Sequence, residues 1–134
     1  MNESLVQRVD LEKAEHLTLI VGLSCRNLRG FIFMWVNIFS FIWSTKKAAG
    51  CTEILPGVIG PFSILLVSYW ETPRDMVRFV KSPAHLRWME FIYKHPRSLS
   101  LFNETYGRPQ RANHINRPRG YAASLINSQQ GRQK

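Results

Sequence analysis

FSILLVSYW (residues 62–70) puts Phe62, Ile64, Leu66, Ser68 and Trp70 on one side of an extended chain, and Ser63, Leu65, Val67 and Tyr69 on the other. Both sides are largely apolar. A strand facing water would alternate with polar residues on one side, so this one must be covered twice. The flanking sequence has to provide both covers.

Upstream, LTLIVGLS (17–24) is short, apolar and β-prone, and predicts a strand. Asn27 then offers a helix N-cap ahead of RGFIFMWVNIFSFIWSTKK (29–47). The uncharged part of that run, from Gly30 to Thr45, spans roughly 24 Å as a helix, less than the ~30 Å of a bilayer's hydrocarbon core. Helical spacing puts Phe33, Asn37, Ser40, Ser44 and Lys47 on one stripe. The expectation is a soluble core helix, buried on most sides with one wetter edge. A helix lying in a membrane interface is the second reading, ahead of a true span. Lys46 and Lys47 suit the negative end of the helix dipole, and Gly50 is a natural stop.

Downstream, Cys51 to Leu55 predicts a strand, and PGVIGP (56–61) has the composition of a turn. Thr72, Pro73 and Asp75 then open a helix as N-cap, first and third residue, with Met76, Phe79 and Val80 as its apolar face. Ser82 and Pro83 restart it, and Leu86, Met89 or Glu90, and Tyr93 carry the periodicity to Lys94 before Pro96. SLSLFNETY (98–106) alternates as a last strand. The order is strand, long helix, strand, strand, helix, strand. The fold class is therefore α+β, a ferredoxin-like βαββαβ sheet with two helices on one face. Two helices cover only one side of FSILLVSYW; the other needs a partner sheet, a ligand, or both. The expected division is an N-terminal arm (1–16), the sheet domain (17–106) and a basic C-terminal arm (107–134), with a short helical piece around Tyr121 to Ile126.

The formal net charge is +9. Residues 1–15 contribute −2, residues 16–106 contribute +5, and residues 107–134, with six bases and no acid, contribute +6. The arm thus points to a partner of negative sign. It lacks aromatic–basic interleaving, so nucleic acid is not the expected partner. Two cysteines, Cys25 and Cys51, make neither a disulfide framework nor a zinc site and are read as free thiols. Residues 1–16 have no apolar stretch of the secretory type, which points to the cytoplasm.

SYWETPRDMVRFVKSPAHLRWME (68–90) and LFNETY (101–106) resemble the dimeric α+β barrel superfamily that includes antibiotic-biosynthesis-type monooxygenases and their haem-degrading relatives. A strand ending in YW, a capped helix, an aromatic, SP with His after it, and a Trp carry the likeness, which covers about residues 17–106. The resemblance implies a homodimer whose sheets close face to face, with a pocket between sheet and helices in each protomer. Haem-degrading members use a histidine iron ligand and a nearby tryptophan; Met89 and Phe79 stand at those positions here. Haem is not expected, and no other cofactor is implied. A related branch has a histidine in the last strand where this chain has Asn103.

The candidate catalytic residues are His85, which titrates near neutral pH, and Glu104, a carboxylate on a strand face with Phe102 and Tyr106. Trp35, Ser68, Trp70, Trp88, Asn103 and Tyr106 are the candidate pocket. His95, at a helix end, and His114, in the arm, are read as structural or unassigned. No metal-ligand spacing, phosphate loop or nucleophile elbow is present in the sequence. The functional expectation is a small-molecule-binding protein, with cofactor-independent monooxygenase chemistry on an aromatic or apolar substrate. The alternative is a non-catalytic accessory subunit of a larger, membrane-associated assembly, using helix 28–47 and arm 107–134.

Overall fold

The computed structural model describes residues 5–133, with side chains through residue 128. Ten elements follow in order: β1 (Val6–Arg8), β2 (Leu17–Cys25), α1 (Leu28–Lys47), β3 (Cys51–Gly60), β4 (Ser63–Trp70), α2 (Pro73–Val80), α3 (Pro83–Lys94), β5 (Leu99–Tyr106), β6 (Asn113–Ile115) and α4 (Tyr121–Gln133). FSILLVSYW supplies β4, the second strand of an antiparallel sheet ordered β3-β4-β2-β5. The ferredoxin-like βαββαβ topology is as expected.

The caps expected from the sequence form. Asn27 Oδ1 accepts from Gly30 N at 2.9 Å, Thr72 Oγ1 from Asp75 N at 3.1 Å, and Ser82 Oγ from His85 N at 3.4 Å. The second expected helix is two, α2 and α3, because Ser82 caps afresh at the break. After α1 the chain leaves the helix at Ala48, and Gly50 takes φ 86°, a left-handed conformation that glycine adopts without strain.

Registry sorts the sheet residues into two faces. Toward α1, α2 and α3 point Leu23, Ile64, Leu66, Trp70 and Leu99, all buried with Met34, Ile38, Phe41, Phe79 and Trp88 in one core. The opposite face presents rows across the strands: Glu104, Ile20, Val67 and Leu55 in one, and Phe102, Gly22, Leu65 and Gly57 in the next. These side chains are exposed or half-exposed except at Gly22, over which the Phe102 ring lies, leaving no room for a Cβ. At one end of that face α4 packs against the Tyr69 side, its Tyr121 ring 6.2 Å from that of Tyr69. β1 and β6 form a separate two-stranded ribbon joining the N-terminal and C-terminal segments. Neither the ribbon nor the α4 contact was expected.

Three expectations are corrected. Residues 56–60 are strand, not turn. β3 is an outer strand, where Pro56, opposite Leu66, costs no internal hydrogen bond, and the register breaks between Cys51 and Glu53 and again between Val58 and Gly60. Val80, Leu86 and Tyr93 face water; Phe79 and Trp88 take the core positions. α1 is not buried on most sides. Its buried residues are Gly30, Met34, Ile38, Phe41 and Thr45, the Phe33–Ser44 edge turns toward α3, and an apolar stripe points outward. One sheet face cannot cover a helix that is apolar nearly all round. By length and composition alone α1, at 20 residues, is also long and apolar enough to cross a membrane, a test that the core helix of a soluble protein passes as well.

Candidate functional site

The structure divides the sequence-nominated residues among three places. The first lies between the sheet and the helices. Alternation along β4 aims Ser68 and Trp70 inward, and Trp70 Nε1 donates to Ser68 Oγ at 2.9 Å. The Trp70 ring sits 5.2 Å from Phe79, Phe79 lies 5.7 Å from Phe41, and Phe41 lies 5.5 Å from Trp88. His85, in the first turn of α3, places its ring 6.2 Å from Phe41 and 6.0 Å from Phe79. Its Nδ1 is buried without a hydrogen-bond partner. Burial lowers the His85 pKa, so the imidazole is held neutral at pH 7. A neutral imidazole with a free ring nitrogen among aromatics can take a proton. Two clefts flank the turn that carries it. One of about 540 Å³ lies among Trp43, Ser44, Phe79 and Ser82. The other, of about 160 Å³, lies among Asn37, Ser40, Phe41 and Trp88.

The second place is β5. Glu104 and Tyr106 share the open face, and the Tyr106 hydroxyl donates to Glu104 Oε2, which raises the tyrosine pKa. Glu104 is thus held by a tyrosine rather than between apolar rings or by an arginine. Asn103 points to the helix-covered side but stays exposed at the sheet edge. The third place is Trp35. It lies apart from the other nominated residues, donating from Nε1 to Pro61 O at 2.9 Å beside the β3–β4 turn. Of the remaining histidines, His95 Nδ1 accepts from Arg29 Nη1 at 2.8 Å, and His114, in β6, has a buried Nδ1 without a partner.

A fourth locus escaped the sequence reading. A cleft of about 880 Å³ runs along the β3 edge between the end of α1 and α4, with Ile42, Cys51 and Ile54 on its apolar wall and Lys46, Glu53 and Arg119 among its charges. Arg119 Nε lies 3.4 Å from Glu53 Oε2. Behind the cleft, His16 Nδ1 stands 2.6 Å from Ser124 Oγ, which also bonds Thr52 Oγ1, while the Ser128 hydroxyl donates to Glu71. Ser124 is fully buried, so this string anchors α4 and does not present a nucleophile. Ser124, Asn127 and Ser128 at spacings of three and one make a polar stripe along α4, a signal available in the sequence. Cys25 and Cys51 are both free thiols, and burial pushes Cys51 up to about 11. Among the described residues, no group of three or more His, Cys, Asp and Glu side chains is placed to hold a metal.

No family model and no curated protein matches the chain. Solved structures do. A protein from Deinococcus radiodurans, named as a candidate antibiotic biosynthesis monooxygenase, superposes with a TM-score of 0.60 at 15% identity, over 74% of this chain and 99% of its own. SnoaB, a cofactor-independent oxygenase from Streptomyces nogalater, gives 0.55 at 10% identity, over 72% and 96%. A protein from Shewanella oneidensis gives 0.59 at 15%, over 77% and 96%. From its strand order, its helix-covered face and these superpositions, the chain shares the ferredoxin-like α+β fold of these solved structures.

Proposed function

We propose that the protein is a homodimeric small-molecule-binding α+β barrel that carries out cofactor-independent oxygenation of an electron-rich aromatic substrate, with His85 as the base. The observation that carries this reading is the His85 imidazole, neutral, unpartnered at Nδ1 and set among Phe41 and Phe79, one residue from the Pro83–Ala84 turn that lines two clefts. A named cofactor-independent oxygenase with the same fold supports the reaction class. In such a reaction the base removes a proton from an activated CH₂ of the substrate. The resulting carbanion or enolate gives its electrons to O₂, one oxygen atom becomes the new carbonyl, and the other leaves as water. The substrate supplies all four electrons. The protein supplies an aromatic wall, through Phe79 in one cleft and Phe41 and Trp88 in the other, and a place for the proton. The open sheet face, with Phe102 and Tyr106 about half exposed, supports the homodimer.

The test is oxygen uptake by purified protein with hydroquinones, anthrones and polycyclic phenols. Turnover should rise with pH through the depressed pKa of His85. His85→Gln should lower kcat by about 10²–10⁴-fold, the usual contribution of a general base. Absence of uptake with every substrate refutes the reading and leaves a non-catalytic accessory subunit; full activity in His85→Gln refutes His85 as the base.

A further inference from the structure

The outward side of α1 carries Leu28, Ile32, Val36, Phe39 and Trp43, each between 53 and 72% exposed. The spacings of four, four, three and four place them along one line of the helix, opposite the buried Met34 and Ile38. That line is hemmed by cations. Arg29 stands at its start, and Lys46 and Lys47 stand at its end, with Lys47 Nζ 4.4 Å above the Trp43 ring. The whole helix layer shares this sign. Residues 26–50 and 72–97 hold ten Lys and Arg against two acids, Asp75 and Glu90, a net of +8. Both acids are already paired, Asp75 with Arg78 at 3.8 Å and Glu90 with Lys94 at 2.8 Å. The three acids of the sheet strands and their ends, Glu53, Glu71 and Glu104, belong to neither stretch.

We infer that the outward stripe of α1 docks on the surface of an anionic phospholipid bilayer, the helix lying in the plane of the interface. An exposed apolar line with Trp and Phe, bordered by Lys and Arg, matches the two forces that hold an interfacial helix: burial of apolar side chains at the acyl boundary, and attraction to anionic headgroups. Trp43 under Lys47 places an indole where a ring is apolar on one side and wet on the other. A crossing is opposed by packing, because the other side of α1 is built into the core through Met34, Ile38 and Phe41. A second copy at this stripe is opposed by charge, since it would bring two +8 surfaces together. The inference is independent of His85 and of the open sheet face.

Flotation of the full chain with vesicles tests it. Phosphatidylserine-containing vesicles should carry the protein at least about tenfold more efficiently than phosphatidylcholine vesicles at about 0.15 M salt. Val36→Glu combined with Phe39→Glu should abolish that partition. Both side chains are exposed, so circular dichroism and the melting temperature should match the parent. Tryptophan emission should shift to the blue on anionic vesicles and lose that shift in Trp43→Phe. Equal partition of the parent and the double-glutamate variant, or no preference for the anionic vesicles, overturns the inference. A fall in solution mass on substitution, without vesicle binding by the parent, assigns the stripe to a second copy and overturns it too.

Discussion

On one face of the sheet Leu23, Ile64, Leu66 and Trp70 are each buried under three helices, while on the reverse Ile20, Leu65 and Val67 stay half-exposed beside an exposed Phe102. Residue type hardly separates the two sets, since both are Leu, Ile, Val and aromatics. What separates them is connection. Each βα crossover returns its helix to the same side, so two crossovers cover one face and leave the other bare. α4 closes only the Tyr69 end of the bare face, where bonds to His16, Thr52 and Glu71 add to the packing of Tyr121, Ala122 and Ala123. The lesson is that an apolar strand face states a demand for cover, and the topology decides whether the same chain meets it.

Three measurements sharpen the contrast. The largest effect belongs to the covered face. Trp70→Ala removes a fully buried indole and leaves Ser68 Oγ without its donor, and should cost about 3–5 kcal/mol in urea unfolding. A loss under about 1 kcal/mol would mean that this side is loosely packed. Next, Phe102→Glu on the bare face should leave the far-ultraviolet spectrum intact while light scattering falls from two chains to one. An unchanged mass would detach the bare face from self-association. The smallest effect is the pH response of the buried imidazole. Because its folded pKa is depressed, the stability due to neutral His85 is complete above about pH 6.5 and is lost as pH falls through the lower folded value. The urea midpoint should therefore drop further between pH 7.5 and pH 5.5 in the parent than in His85→Gln. Identical slopes would place His85 in contact with water.

The frame was legible because its signals are local. A short β-prone apolar run found β2, period-two alternation found β4 and β5, and the Thr72 and Ser82 caps with Pro behind them found α2 and α3. The phase of α1 was not legible, since a helix apolar on nearly every side gives no moment to orient it. Pro56 and Gly57 were misread because composition does not distinguish a turn from an outer strand whose amide has no neighbour to serve. A helical piece around Tyr121 to Ile126 was expected, but its docking and the part played by His16 were not: they depend on hydroxyl and imidazole bonds between segments about a hundred residues apart, which local periodicity does not encode. Within the nominated site, Ser68, Trp70 and Trp88 share the core with the half-buried His85, while Trp35, Asn103, Glu104 and Tyr106 do not join them.

The proline in the outer strand has a bearing on solubility. A growing fibril recruits each new chain through an uninterrupted ladder of amides and carbonyls. β3 offers a broken one, with Pro56 lacking its N–H and two register slips in ten residues. Templated growth is thereby discouraged on that flank, and concentrated solutions should resist amyloid formation seeded from it.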